Sequence, residues 1–165
     1  FQSDPFFTQW RFQFATDTLQ VYVQDRWAIT DALTLSLGFK GQTVSNSSRR
    51  EVPGTSPAAG TISSADWFLP QAGIVWRVTD DTELFANYTE NRRAFTSSAT
   101  GGPFSTTQAG FESIRDTLRP ETSKTIEGGV RFGDSRLRGV LAGYYVDFSD
   151  RLLGITQGAG IIGNP

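Results

Sequence analysis

Residues 118–132 read LRPETSKTIEGGVRF, and polar and apolar residues alternate along most of this stretch. Pro120 cannot donate a hydrogen bond to a sheet, so it fits the beginning of a strand. The residues that follow divide between two sides: Lys124, Ile126, Gly128, Val130 and Phe132 on one, and Ser123, Thr125, Glu127, Gly129 and Arg131 on the other. This alternation predicts a strand with one apolar face and one charged, wet face.

Similar patterns recur along the chain as three pairs of strands. The predicted pairs and their turns are residues 18–29 and 33–40 with a turn at 30–32, residues 72–78 and 84–88 with a turn at 79–81, and residues 120–132 and 137–148 with a turn at 133–135. Asp25 is the one break on the apolar side of the first strand. The last strand is apolar on both sides, which leaves its register open. Residues 1–17 are left unassigned.

Two long polar stretches, residues 41–66 and 92–118, are rich in Ser and Gly and predict long loops. Short turns at one end of the sheet and long loops at the other are typical of transmembrane barrels. A soluble sandwich would instead bury the apolar face against a second sheet. The sequence therefore predicts an all-β, antiparallel up-and-down transmembrane β-barrel segment of about six strands. Because closed membrane barrels start at about eight strands, residues 1–17 and 150–165 supply two more, or the chain is part of a larger barrel.

The composition excludes several classes of function. The chain has no Cys, Met or His, and its 15 basic and 17 acidic residues give a net charge of −2. The lack of a basic excess argues against nucleic-acid binding, and without His and Cys the usual catalytic bases and metal ligands are missing. No catalytic residue, metal site or cofactor is expected. No apolar run is long enough for a membrane helix, and the first residues do not resemble a signal peptide.

Four groups of residues resemble one family in particular. They are VYVQDRW at 21–27 with LTLSLGFK at 33–40, PQAGIVW at 70–76 with LFANYTE at 84–90, LRPETS at 118–123 with Glu127 and Gly129, and YYVDF at 144–148 with RLL at 151–153. In this order they resemble the successive strands of TonB-dependent outer-membrane receptors. The resemblance covers residues 18–165.

That resemblance implies a 22-stranded barrel in the outer membrane of a Gram-negative bacterium, closed inside by a separate N-terminal plug domain. Such receptors import scarce ligands, most often ferric siderophores and sometimes cobalamin, haem or carbohydrate, with energy from the TonB complex. Residues 1–165 are expected to be part of one barrel domain, without the plug and the TonB box. The expected function is transport and not catalysis.

Two sets of side chains are candidates for binding. The second predicted loop contains Arg92, Arg93, Phe95, Phe104, Phe111 and Arg115. Guanidinium groups bind anions and aromatic faces stack on flat ligands, so this set predicts contact with an anionic iron chelate. A solvated loop, or one that contacts lipopolysaccharide phosphates, is the alternative. The polar sides of the strands predict a barrel lining that contacts the plug: Arg26, Lys40, Arg77, Glu127 and Arg131.

Two other classes of protein stay open at this point. One is a self-contained outer-membrane barrel, either porin-like or an enzyme. The other is a soluble carbohydrate-binding β-sandwich, in which a second sheet would cover Leu33, Leu35, Leu37 and Phe39.

Overall fold

Six antiparallel strands form a single sheet in the order of the sequence. The computed structural model describes residues 11–53, 57–134 and 136–151. Its strands are β1 (Phe12–Ala28), β2 (Leu33–Arg50), β3 (Gly60–Thr79), β4 (Thr82–Arg92), β5 (Thr122–Gly133) and β6 (Arg138–Ser149). A short 3-10 helix, Pro103–Ser105, and helix α1, Gln108–Ile114, lie between β4 and β5. The predicted meander of three hairpins is confirmed.

The register separates the side chains of β1–β5 into an apolar face and a polar face. Leu35 lies opposite Trp27 and Ile74, and the same row continues through Ala86 and Gly128. Among the described residues no second sheet covers this apolar face, and Leu37 remains 39% exposed. An exposed apolar surface of this extent is unstable in water and is what lipid would cover.

Short turns close the hairpins at one end of the sheet. In the first turn, Thr30 Oγ1 accepts hydrogen bonds from the backbone N–H groups of Ala32 (3.2 Å) and Leu33 (3.0 Å). In the third, the Asp134 carboxylate accepts from Arg136 N (2.7 Å) and Leu137 N (3.0 Å). Side-chain oxygens that satisfy turn amides in this way fix tight connections. All three short turns lie where the sequence predicted them.

The first predicted loop is wrong for most of its length. Residues 41–50 continue β2 and residues 60–66 begin β3, so the connection is reduced to residues 51–59. Likewise β1 begins at Phe12 and pairs with β2 as far as Arg50. These added segments, residues 12–17, 41–50 and 60–66, are called here the extension, and they have Ser and Thr residues on both faces. Without one apolar face they show no alternation, and backbone pairing with neighbouring strands holds them.

A β-bulge separates the extension from the lower part of the sheet. Lys40 pairs with Leu69, but Gln42 pairs with Asp66, so two residues of β3 lie opposite Gly41. An ideal Cβ on Gly41 would come within 3.0 Å of the Trp67 ring, which leaves little room for a larger residue. Because of the extra residue, the alternation of side chains along β3 shifts by one position above the bulge. Odd-numbered residues of β3 therefore lie on the polar face below the bulge, and even-numbered residues lie there above it.

The one buried apolar cluster of the described residues lies on the polar-face side of the extension. Residues 93–121, called here the capping segment, fold over this surface. The cluster consists of Phe95, Phe104 and Phe111 from the capping segment with Ala58 and Ile62, and Phe14 and Leu118 pack against it. Residues 92–118 were predicted to be a long loop; Arg92 instead ends β4, and the residues after it belong to a folded segment with a buried core.

The register also settles the orientation of β6. Tyr145 lies opposite Ile126 and Leu141 opposite Val130, so these two face the apolar side. Phe148 lies opposite Ser123, on the polar face. Within the described ranges, no helix is both long and apolar enough to cross a membrane.

Candidate functional site

The five residues predicted to line the barrel share the polar face. Arg26 lies opposite Ser36, and the same row continues through Gly73 and Asn87 to Glu127. Arg77 and Arg131 lie on either side of Glu83 in a second row, nearer the short turns. Lys40 lies in a third row near the bulge. The structure therefore spreads these residues over the height of one face and does not gather them at one point.

A groove of about 310 Å³ runs along the middle of the polar face. Its polar lining comes from five strands: Gln24, Ser36, Gln71, Asn87, Thr89, Thr125 and Glu127. Two glycines make room for it. A Cβ on Gly73 would lie 2.8 Å from Asn87 Oδ1, and one on Gly38 would lie 2.9 Å from Gln71 Nε2. Amide side chains thus lie flat over glycines and leave hydrogen-bonding groups free to meet a polar partner.

Near the short turns, aromatic packing fixes the position of Arg131. The Phe85 ring lies over Gly129, where an added Cβ would come within 2.9 Å of Cζ. The Arg131 guanidinium lies over the same ring, 4.4 Å from its centroid, and its Nη1 is 3.8 Å from Glu83 Oε2. A cation–π contact combined with a half-exposed ion pair orders a charge at the surface and adds modest stability.

At the other end of the groove, Lys40 reaches across the sheet. Its Nζ donates a 2.8 Å hydrogen bond to Asn91 Oδ1 on β4. Leu69, which pairs with Lys40, is almost fully buried. The Lys40 side chain thus extends from β2 past Leu69 of β3 to Asn91 of β4. Its methylene groups cover apolar surface, and its charged amino group lies at the far end.

The predicted arginines of the capping region fall into different environments. Arg92 is turned back onto β3, where Nη1 donates to the Ala65 carbonyl and lies 3.8 Å from Asp66 Oδ2. Arg93 is exposed at the start of the capping segment. Arg115 follows α1 and is exposed, with its Nε 3.3 Å from Asp116 Oδ1. Arg93 and Arg115 are exposed to solvent, Arg115 beside Asp116, whereas Arg92 is held against β3.

The three predicted phenylalanines are not accessible. Phe95 is 4% exposed, Phe104 0% and Phe111 1%, and the rings of Phe104 and Phe111 lie 5.2 Å apart. A ring buried on both faces cannot stack on a ligand unless the capping segment opens. The expected stacking role is therefore not compatible with this arrangement. These rings form the core that holds the segment on the sheet.

Asn46 is a key residue that sequence reasoning missed. Its side chain is 1% exposed, and Nδ2 lies 3.0 Å from the Phe95 carbonyl, 2.8 Å from Ser97 Oγ and 3.0 Å from Thr16 Oγ1. It ties the capping segment to β1 and β2. Asn46 lies in a polar stretch that was predicted to be a loop, so the sequence did not indicate this role. Only the pairing of β2 with its neighbouring strands shows that Asn46 faces the capping segment.

Gln108 provides a second attachment for the capping segment. Its side-chain amide pairs with Ala59 as a strand would, with Oε1 accepting from Ala59 N at 2.9 Å and Nε2 donating to Ala59 O at 3.0 Å. The helix begins one residue after Thr107, whose Oγ1 accepts from Gly110 N at 3.2 Å. The segment is therefore anchored by its core, by Asn46 and by Gln108.

No group of acidic residues in the described part of the chain could hold a metal ion. The polar face presents hydrogen-bonding and charged side chains, and the capping segment presents three exposed arginines, Arg93, Arg115 and Arg119. Side chains of these types can bind a partner through hydrogen bonds and ion pairs.

The comparisons with known proteins agree with this geometry. The family described as "TonB dependent receptor-like, beta-barrel" matches residues 2–164. No curated protein matched the sequence. One similar solved structure is the alcaligin outer-membrane receptor FauA from Bordetella pertussis, with a TM-score of 0.62 and 18% identity over 89% of this chain. Another is the ferric yersiniabactin uptake receptor FyuA from Yersinia pestis, with a TM-score of 0.60 and 20% identity over 91% of this chain.

This chain spans 23% of FauA and 22% of FyuA, so it corresponds to less than a quarter of either receptor. At these identities the two structures establish the fold. The family match covers nearly the whole sequence and agrees with the four motifs and with the two-faced meander. The chain belongs to the TonB-dependent receptor β-barrel family of the Gram-negative outer membrane.

Proposed function

We propose that this chain forms part of the wall of a receptor that binds a ferric siderophore outside the cell and imports it with energy from the TonB complex. The observation that carries the proposal is the two-faced sheet: an uncovered apolar face towards lipid and a polar face with a groove towards a lumen. Of the similar structures described above, one is named as the alcaligin outer-membrane receptor and the other as the ferric yersiniabactin uptake receptor.

In this proposal residues 1–165 belong to a single barrel domain, and the plug comes from other residues of the same receptor. The polar face contacts the plug through Arg26, Lys40, Arg77, Glu127 and Arg131. Support comes from their common orientation and from the ordered position of the Arg131 guanidinium. A polar plug surface would find hydrogen-bond partners along the whole groove.

Ligand contact is assigned to Arg93 and Arg115, the two of the three predicted arginines that are exposed in the capping segment. Ferric siderophores frequently carry net negative charge, and guanidinium groups bind such oxygens as paired donors. The buried phenylalanines contribute by holding the capping segment in place. Lipopolysaccharide surrounds the same end of the barrel and is the competing anion for these arginines.

The decisive experiment expresses the complete receptor in a Gram-negative host that lacks its own ferric-siderophore receptors. Accumulation of radioactive iron is measured with a panel of hydroxamate, catecholate and phenolate siderophores, with and without an uncoupler of the proton gradient. We expect uptake of one class that stops when the gradient is dissipated. Uptake that ignores the gradient would indicate a porin-like barrel. Energy-dependent uptake of cobalamin, haem or a carbohydrate would correct the ligand class alone.

Binding by the two arginines can be tested in the same receptor. Loss of a charged hydrogen bond costs about 1.5–3 kcal/mol, so Arg93→Ala and Arg115→Ala should each weaken binding of the transported siderophore by about tenfold or more. Arg11→Ala is the matched control, since Arg11 is an exposed arginine at the same end that pairs with Glu51 at 2.9 Å. Equal affinities in all three variants would remove the arginines from the binding site.

A further inference from the structure

The apolar face of the sheet changes its chemistry at the bulge. Below the bulge this face carries the apolar rows of β1–β5. Above it, the same side of β2 and β3 carries three rows of short side chains: Thr43 with Ala65, Ser45 with Ser63, and Ser47 with Thr61. All of these residues except the alanine have a hydroxyl group, and none is charged. These six residues are called here the hydroxyl face.

Two exposed aromatic rings border the hydroxyl face at the bulge. Trp67 is 55% exposed and Phe68 is 65% exposed. An ideal Cβ on Gly41 would lie 3.0 Å from Trp67 Cε3, so the Trp67 ring lies on the same side of the sheet as the apolar face. The Phe68 ring lies 5.5 Å from the ring of Phe39, a residue of the apolar face. Aromatic and hydroxyl groups therefore meet on one surface.

None of the described elements covers the hydroxyl face. The core of the capping segment packs against the opposite side of the extension, where it contacts Ile62. Asn46, which binds the capping segment, also points to that side and alternates with its neighbours Ser45 and Ser47. Within the hydroxyl face, Ser63 Oγ donates a 3.1 Å hydrogen bond to Ser45 Oγ. Thr61 and Ser63 are exposed.

The position of the hydroxyl face indicates which molecules surround it. It continues upwards from the surface that lipid would cover, at the end of the sheet opposite the short turns, and in membrane barrels that end is extracellular. In the outer membrane, the sugars of lipopolysaccharide lie directly above the acyl chains of the outer leaflet. The C–H groups of a sugar ring pack on an aromatic face, and its hydroxyls exchange hydrogen bonds with Ser and Thr.

We propose that Trp67 and the hydroxyl face form a binding site for the sugar part of lipopolysaccharide. The Trp67 ring packs against one sugar, and the hydroxyls of Ser45 and Ser63 bind the next part of the saccharide. Short side chains lose little conformational entropy when they are fixed in this way. The site is on the opposite side of the extension from the capping segment, so it is separate from the ligand contacts proposed above.

The test uses the complete receptor, refolded in detergent without lipopolysaccharide. It is titrated with lipopolysaccharide and with the oligosaccharide that remains after all acyl chains have been removed. We expect the wild type to bind both. Trp67→Leu keeps an apolar side chain but removes the ring, and it should weaken binding of the oligosaccharide about fivefold. Heat-dependent gel migration confirms that each variant has folded.

Trp27→Leu is the matched control. Trp27 is 44% exposed on the same face of the sheet, but it lies beside the first short turn, at the other end of the strands. Its replacement should leave the affinity for the oligosaccharide unchanged. A variant that combines Ser45→Ala with Ser63→Ala tests the hydroxyls separately, and it should bind the oligosaccharide more weakly although Trp67 is intact.

A cross-link in living cells identifies what touches the hydroxyl face. The photoreactive residue p-benzoylphenylalanine replaces Ser63 in the complete receptor, and the cells are irradiated. We expect an adduct that reacts with an antibody against the lipopolysaccharide core sugars. The same substitution at Gln20, which is exposed on the polar face, should not give this adduct.

Three outcomes would overturn the proposal. The first is a wild type that binds intact lipopolysaccharide but not the oligosaccharide, since Trp67 would then contact acyl chains alone. The second is equal affinity of Trp67→Leu and Trp27→Leu for the oligosaccharide. The third is an adduct from position 63 with protein and not with lipopolysaccharide. These measurements require no siderophore and no energy source, so their outcome is independent of import.

Discussion

The lower sheet and the capped extension are held together in different ways. Below the bulge the described strands form a single layer, and none of the described elements covers Leu37, which is 39% exposed. Above the bulge the same strands carry a protein core, in which Phe104 has no exposed surface. The lower part depends on two different environments on its two sides, and the extension depends on its own packing. The contrast shows how one hairpin continues out of a membrane.

The largest effect is expected from a substitution in the core of the capping segment. Phe104→Ala removes a fully buried ring, and such changes cost about 3–5 kcal/mol. We expect the capping segment to open while the lower sheet stays folded, because the two parts share no core. Limited proteolysis of the native receptor should then cut within residues 93–121. Heat-dependent gel migration should still report a folded barrel.

A matched control is Phe132→Ala, which truncates an exposed ring on the apolar face and leaves the capping core intact. It should produce no new cleavage in the capping segment. If Phe104→Ala instead unfolds the whole barrel, the two regions are one cooperative unit and the comparison is wrong.

The second prediction tests the position of the lipid. Leu37 and Ser45 lie on the same face of β2, below and above the bulge. Leu37→Arg should destabilise the barrel by about 2–4 kcal/mol, as expected for a cation facing lipid near the bilayer centre. Ser45→Arg should change the stability by less than about 0.5 kcal/mol, because we expect the sheet above the bulge to lie outside the bilayer. Equilibrium unfolding in urea with phospholipid vesicles measures both.

Equal effects of the two arginines would contradict the assignment of the bulge as the upper limit of the membrane contact. Tolerance of Leu37→Arg with no loss of stability would mean that protein or water, and not lipid, covers this face.

The third prediction concerns Asn46, which attaches the capping segment to the extension. Asn46→Ala leaves the Phe95 carbonyl in a buried site without its donor, and such a loss costs about 1–3 kcal/mol. Hydrogen exchange in the capping segment should accelerate by the corresponding factor. Ser45→Ala removes an exposed hydroxyl on the other face and should leave the exchange rates unchanged. Equal rates in both variants would show that the aromatic core alone holds the segment.

The smallest effect is expected at the third turn. Backbone hydrogen bonds from Arg136 and Leu137 lower the pKa of the Asp134 carboxyl below its ordinary value, about 3.9. The ionised form therefore stabilises the turn above that ordinary value, and this contribution is lost as the pH falls through the folded pKa. Exchange of the Leu137 amide should accelerate in acid in the wild type, and Asp134→Ala should lack that pH dependence. A wild-type rate that follows only intrinsic acid exchange would contradict the hydrogen bonds.

The lower sheet could be predicted from the sequence because lipid and a wet lumen impose a strict alternation. Leu33, Leu35 and Leu37 display it, and the short turns contain residues that hydrogen-bond their own backbone. The extension could not be predicted in this way, since Ser, Thr and Asn occupy both sides of paired strands. Its order comes from backbone pairing and from contacts distant in sequence, such as Asn46 with Phe95. Local patterns contain no information about such contacts.

The same reasoning explains the mixed result for the candidate site. The polar face followed from alternation, so the orientation of Arg26 or Glu127 could be read from the sequence. The exposure of an aromatic residue in a predicted loop could not be read in this way. The sequence around Phe104 is Gly-rich, and it does not distinguish a ring that contacts a ligand from one that packs in a core. For β6, alternation was absent, and only the partner strand revealed which tyrosine faces inward.

The bulge opposite Gly41 divides the hairpin of β2 and β3 into a lower part, where the register fixes which side chains face each side, and an outer part that ends in the connection between the strands. Residues added or lost beyond it alter the outer connection without moving any side chain between the two faces of the lower strands. An insertion or deletion in the outer connection would therefore leave the apolar wall of the lower sheet unchanged.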